Sequence, residues 1–232
     1  DDFGEPTTDN IYELLAETSD ENRWKFNIST LSRHIYGIGP SEFGIVFARP
    51  EVGKTAFVIS ICAGPNGFCQ QGAKVLYLGN EEKTTRTKLR AIQACSGMNR
   101  EEIAANPDLA MSKYMSIKDR LIMKDIQEWD LDRVDSYCEL NKPDVIILDQ
   151  GDKINIAGSY NASHERIREL FRSIRELSKR HNAALLTVSQ ASAEAEGKTR
   201  IDFSMLEGSK TGKAAEADVI FGLSKYSSNT DD

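Results

Sequence analysis

The chain has 232 residues, of which 40% are apolar and 28% charged. That balance fits one large α/β domain with a sizeable core and excludes a low-complexity polypeptide. The formal net charge of −7 excludes a broad basic face, so any contact with DNA must be confined to a loop or a channel.

No apolar run approaches the roughly 20 residues that span a bilayer. The acidic start DDFGEPTTDN has no apolar signal core, so export is not expected. Cys62, Cys69, Cys95 and Cys138 form no Cys-x-x-Cys pair, and no His stands at zinc-ligand spacing from them. They read as reduced thiols of an intracellular protein.

Residues 1–9 read as a disordered acidic lead. Asn10 caps a short helix, Ile11–Glu17, with Ile11, Leu14 and Leu15 on one face. The polar stretch 18–22 follows. Residues 1–22 therefore form either a linker with a detached helix or a terminal helix packed on its own domain. Residues 23–232 form the main domain. Gly37, Gly39 and Pro40 mark a turn. Phe43 to Phe47 is a buried strand, and a helix starts near Lys54. KVLYL (residues 74–78) is a second strand. Lys83 to Ser96 is a basic helix, and residues 97–142 read as mostly helical. DVIIL (144–148) is a third strand. Ser163 to His181 is a long amphipathic helix with Ile167, Leu170, Phe171, Ile174 and Leu177 at helical spacing. AALLTV (183–188) is a fourth strand. Residues 191–212 read as a mobile polar loop, and DVIFGL (218–223) as a fifth strand.

Buried strands alternating with helices imply a mainly parallel twisted sheet flanked by helices, with ligands at the carboxyl ends of the strands. The residues with chemistry to offer stand there: Lys54 and Thr55, Glu81, Asp149 and Gln190.

Ala48-Arg49-Pro50-Glu51-Val52-Gly53-Lys54-Thr55 carries the end of the phosphate-loop motif, with Ala where the general pattern has its first Gly. Gly53 lets the backbone approach an anion, and the following helix, from about Lys54 to Cys62, turns its positive end toward it. Lys54 is a point charge for β- and γ-phosphate oxygens, and the Thr55 hydroxyl a ligand for Mg²⁺. Arg49, Pro50, Glu51, Val52, Gly53, Lys54, Thr55 and Ala56 are the expected nucleotide-binding set. This set implies a nucleoside triphosphate such as ATP, with Mg²⁺, as the cofactors.

Hydrolysis needs a carboxylate that orients water. Glu81 is nearest the strand end, while Glu82 suits the start of the next helix. Asp149 closes an apolar strand where a magnesium-holding carboxylate belongs. Asp152 reads as a loop acid. Gln190 is either a sensor of the γ-phosphate or a polar residue closing its strand.

The string Phe47 to Phe57 closely resembles the phosphate loop of DnaB-type replicative DNA helicases, where Ala-Arg-Pro precedes x-x-Gly-Lys-Thr. Ile28 to Pro40, Leu78 to Glu82, Asp144 to Asp149, Ser189-Gln190, and Leu206 to Ser209 with Ala217 to Ile220 are similar to further family elements. The resemblance reaches from about residue 23 to 225. It implies a RecA-like P-loop NTPase fold and a hexameric ring that hydrolyses nucleotide between subunits and moves on single-stranded DNA. The resemblance leaves a deoxynucleotide open as the nucleotide. By the family pattern Glu81, Lys54 and Gln190 serve catalysis, and Thr55 and Asp149 the metal. Lys198, Arg200, Lys210 and Lys213 would line the pore and touch DNA backbone. Primase and polymerase are the implied partners, and the cytoplasm of a bacterial or phage-infected cell the implied place. The family's arginine finger and last strands are expected beyond Asp232, and no primase domain is expected within the chain.

Two other readings share these residues. A RecA-like recombinase or recombination mediator would form open filaments on DNA. A nucleotide-gated assembly module would bind without turnover.

Overall fold

The computed structural model describes residues 7–17, 19–158, 162–207 and 212–225. Its centre is a six-stranded parallel sheet in the order β5-β4-β6-β7-β3-β8. The strands are β3 (Phe43–Ala48), β4 (Val75–Gly79), β5 (Leu121–Asp125), β6 (Val145–Asp149), β7 (Ala184–Gln190) and β8 (Val219–Leu223). A side annex pairs β1 (Trp24–Lys25) antiparallel with β2 (Gly37–Ile38). The sequence-predicted turn at Gly37 to Pro40 is thus partly strand.

All side chains of β3, β4 and β6 are buried, and six of the seven in β7. Such strands need cover on both faces, which explains their unbroken apolar runs. Alternation sends their residues to two separate cores. Val46, Val75, Tyr77, Val145, Ile147, Leu186 and Val188 face α3 (Lys54–Ala63) and α4 (Thr84–Ser96). Phe43, Ile45, Phe47, Leu76, Leu78, Ile146, Leu148 and Leu185 face α7 (Leu131–Asn141) and α8 (Ser163–Arg180). α8 contributes Leu170, Phe171, Ile174 and Leu177, each worth about 1.5–3 kcal/mol when removed from water.

Residues 97–142 differ from expectation. They hold α5 (Arg100–Ala105), α6 (Pro107–Tyr114) and α7, but also β5. Asn99 and Glu102 cap α5 reciprocally, and Asp130 caps α7 through the Arg133 N–H at 2.9 Å. β5 escapes a sequence reading because it is an edge strand of three apolar residues running into Lys124 and Asp125, with only Leu121 buried. Its register with β4, Val75 opposite Leu121, makes it a strand.

Residues 191–207 of the expected loop after β7 carry local structure. They hold 3₁₀ turns at Ala193–Ala195 and Phe203–Met205, an antiparallel bridge between Ala191 and Leu206, and buried Ala195 and Leu206. At the other end of the chain, α1 (Ile11–Glu17) forms as expected and leaves Ile11, Tyr12 and Leu15 exposed. The remaining helices are short, α2 (Ser29–Ser32) and α9 (Lys213–Glu216). Among the described residues no helix is long and apolar enough to cross a membrane.

Candidate nucleotide-binding site

Because every strand of the main sheet runs the same way, β3, β4, β6 and β7 deliver their carboxyl ends to one edge. A cleft of about 440 Å³ opens there. Its lining includes Pro50, Glu51, Gly53, Lys54, Thr55 and Ala56 from the loop after β3, with Glu81, Glu82 and Arg90 from beyond β4, and Gln150 and Gln190 from beyond β6 and β7. The sequence places α3 directly after Gly53, whose φ of 107° suits glycine and whose absent Cβ would meet only open space. The N–H groups of the first turn of α3 therefore face the cleft without a side-chain cap.

The Lys54 ammonium donates to the carbonyls of Ala48 at 3.1 Å and Arg49 at 3.4 Å. Among the described residues no carboxylate comes within ion-pairing distance of it. Burial lowers its pKa, with Glu81 and Asp149 working the other way. A partly desolvated cation with only carbonyl partners suits a phosphate.

Thr55 donates from Oγ1 to Asp149 Oδ2 at 3.3 Å. The Tyr77 hydroxyl donates to the same oxygen. Burial raises the Asp149 pKa, the hydroxyls of Tyr77 and Thr55 hold it down, and the net shift is upward. Burial, followed by the nearby Asp149 charge, also pushes the Tyr77 phenol well above its usual value. A hydroxyl and a buried carboxylate meeting at one point form a hard-oxygen donor set of the kind that suits Mg²⁺, and Thr55 and Asp149 are the residues that would hold it. Sequence reading missed Tyr77. Its signal was a polar tip two residues from the end of an otherwise apolar strand.

Glu81 lies across the strand ends, half exposed, with Oε1 at 3.6 Å from the Lys153 ammonium. Glu82 pairs with Arg90 and Arg86 instead, and does not start α4. Asp125 of β5 caps α4 instead, accepting from the Thr84 N–H at 2.8 Å. Gln190 pairs in register with Ala48, beside the phosphate loop, and its carbonyl accepts from the Glu207 N–H at 3.0 Å. One residue thus links the cleft to the segment that follows.

Other expected residues stand elsewhere. Val52 does not line the cleft. Arg49 points to the segment after β7, where its guanidinium meets Glu196 at 2.6 Å and the Ala191 carbonyl at 3.2 Å. Lys198 and Arg200 are exposed. They share the described segment with Glu194, Glu196, Asp202 and Glu207, so the segment is not a basic stripe. Lys210, like Gly208 and Ser209, lies outside the described residues.

Lys213 requires a correction. It is 3% exposed, and its ammonium meets Asp152 Oδ2 at 2.8 Å and Ser189 Oγ at 3.1 Å, above the Phe171 ring. A buried, paired lysine is a structural post and not a pore contact. Asp152, expected to be a loop acid, is the other half of that pair and also accepts from Ser189 at 2.8 Å. The pair borders a second cleft of about 390 Å³, which shares Gln150 and Gln190 with the first.

A parallel sheet with an anion-binding loop after β3 and acids at the ends of β4 and β6 defines a RecA-like P-loop nucleotide-binding domain. The chain belongs to the AAA domain family, whose model matches residues 10–196. It is similar to the DNA repair protein RadA of Listeria monocytogenes, 25% identical over 199 residues, covering 82% of this chain and 37% of that protein. It is also similar to the replicative DNA helicase DnaB of Pasteurella multocida, 30% identical over 117 residues, covering 49% of this chain and 24% of that protein. The chain thus spans well under half the length of either relative. The fold matches a DnaB-like replicative helicase solved with its interactions with primase, at TM-score 0.76, 21% identity, and coverage of 98% of this chain and 60% of that one.

Proposed function

We propose that the chain is the motor of an ATP-dependent replicative DNA helicase, which hydrolyses nucleotide between subunits and moves along single-stranded DNA. One observation carries the reading: Lys54, Thr55, Asp149, Glu81 and Gln190, from four separate strand ends, converge on one edge of the sheet. In this reading Lys54 neutralises β- and γ-oxygens, Thr55 and Asp149 hold Mg²⁺, and Glu81 orients the attacking water. Gln190 senses the γ-phosphate and passes its presence to the following segment through the Glu207 contact. ATP or a deoxynucleotide is the fuel. Lys198 and Arg200, with Lys210, touch the DNA backbone inside a hexameric ring. Residues 1–22 serve as a linker to the motor domain. Primase and polymerase are the partners, and the cytoplasm the site of action.

The similarity to RadA over most of the chain favours one second reading, a recombination ATPase. Both readings predict hydrolysis stimulated by single-stranded DNA and lost on Glu81→Gln, with nucleotide binding retained. General-base loss costs about 10²–10⁴-fold in turnover. Electron microscopy with DNA and a slowly hydrolysed ATP analogue separates them. Closed six-fold rings support the helicase, and open filaments support the recombinase. Absence of DNA stimulation in the full-length protein sinks both.

A further inference from the structure

Gln150 lines the nucleotide cleft, yet none of the roles described so far falls to it. It follows Asp149 and takes a left-handed backbone, φ 61° and ψ 58°, which a non-glycine residue seldom adopts. It is 4% exposed. Its amide Nε2 donates to Glu81 Oε2. The turn that Gln150 opens, Gly151–Lys153, brings Lys153 to the other oxygen of the same carboxylate at 3.6 Å. The Gln150 carbonyl accepts from the Lys153 N–H at 3.1 Å and closes the turn.

The backbone of that turn is fixed from below. A Cβ on Gly151 would stand 2.3 Å from Thr187 Oγ1, and that hydroxyl donates to the Leu148 carbonyl at 3.1 Å. β6, β7 and the turn are therefore packed too closely to shift independently. Asp152 in the same turn is tied to Lys213 and Ser189. The left-handed residue is thus over-determined by its surroundings, the condition under which such backbone strain persists.

We infer that Gln150, assisted by Lys153, is a positioning residue that holds the Glu81 carboxylate at the nucleotide cleft. This rests on the assignment of Glu81 above. Glu81 is half exposed and follows a strand end, so its side chain would otherwise sample several rotamers. A carboxylate that must sit within hydrogen-bond reach of one water loses rate steeply when misplaced, about 10²-fold for 1 Å. A neutral amide can hold one oxygen without competing for the proton, and leaves the carboxylate's remaining lone pairs for water.

The test compares Gln150→Ala and Gln150→Glu in the full-length protein, by steady-state ATP hydrolysis with Mg²⁺ and by titration with a fluorescent nucleotide. The left-handed backbone strains Ala as it strains Gln, so the first variant isolates the amide. Glu keeps the shape and cannot donate when ionised, so a mere packing role would tolerate it. The expected result is a kcat about 10- to 100-fold lower for both, the larger fall for Gln150→Glu, with KM and nucleotide affinity within twofold of wild type. Wild-type kcat in Gln150→Glu overturns the inference, and so does a fall in kcat matched by loss of nucleotide binding. Glu81→Gln is the control that separates the two claims. If it abolishes turnover while both Gln150 variants remain fully active, the positioning role alone fails. If it leaves turnover intact, the assignment of Glu81 fails and the inference with it.

Discussion

Asp149 shows how one residue carries a cost for its use. Its carboxylate sits in a nearly dry position, held by Tyr77 and Thr55, and burial raises its pKa. A carboxyl whose folded pKa lies above its unfolded value binds more protons in the folded state. It therefore lowers stability as pH rises through that window, and the cost is complete only above the folded pKa. Asp149→Asn keeps the shape and removes the charge. It should raise Tm at pH 7 above wild type and abolish Mg²⁺-dependent turnover. Thermal scans at pH 4 and pH 7 check the sign: the gain shrinks at the lower pH. A Tm at pH 7 equal to or below wild type would contradict it. Tyr77 and Gln150 were illegible in the sequence for a common reason. Each acts through a side chain about 70 positions away, Tyr77 on Asp149 and Gln150 on Glu81, and local pattern carries no trace of such a pairing.

Elements are docked by polar contacts as well as by the two cores. Asp218 precedes β8 and takes the Arg175 guanidinium of α8 in a bidentate grip at 2.9 and 3.0 Å, while accepting from the Phe43 N–H of β3 at 2.9 Å. Burial opposes ionisation of Asp218, but Arg175 and the Phe43 N–H outweigh it, and the net pKa is lowered. A lowered carboxylate contributes stability above its unfolded pKa and loses it as pH falls through the folded value. Asp218→Ala should cost about 1–2 kcal/mol at neutral pH, allowing for its partial exposure. The gap to wild type should close as pH falls below about 4, which denaturant melts across pH 3–7 would measure. The strands that sequence reading found share a run of buried apolar residues. β5 lacks one because it lies at an edge, and the cap it supplies to α4 comes from Asp125, 41 residues after Thr84.

At the scale of the whole molecule, charge sorts the lysines into posts and contacts. Lys213 is buried against Asp152, so Lys213→Met leaves a partly buried carboxylate without its cation and should cost about 1–3 kcal/mol of stability. Lys198→Ala with Arg200→Ala removes two exposed charges and should leave Tm within about 1 °C. That double variant should weaken single-stranded DNA binding and reduce the slope of log K against log salt by about 1.4, or 0.7 per phosphate contact. Fluorescence anisotropy at three salt concentrations, beside a thermal melt, reads both. An unchanged salt slope would remove Lys198 and Arg200 from the DNA path.

By itself the sequence determined the P-loop class, the strand-by-strand placement of Lys54, Glu81, Asp149 and Gln190, and the two-faced burial of the sheet. These follow from local rules: apolar runs make strands, Gly-Lys-Thr between strand and helix makes an anion site, and parallel strands present their ends together. Only the tertiary structure decided which charges are free. Lys198 and Lys213 look alike in the sequence, yet one is exposed and the other lies under the sheet edge with Asp152 and Ser189. The same holds for Glu81 and Glu82, adjacent in the chain and turned to different partners by Lys153 and Arg90. A charge's role depends on what desolvates and pairs it, and those neighbours are set by packing across the sheet.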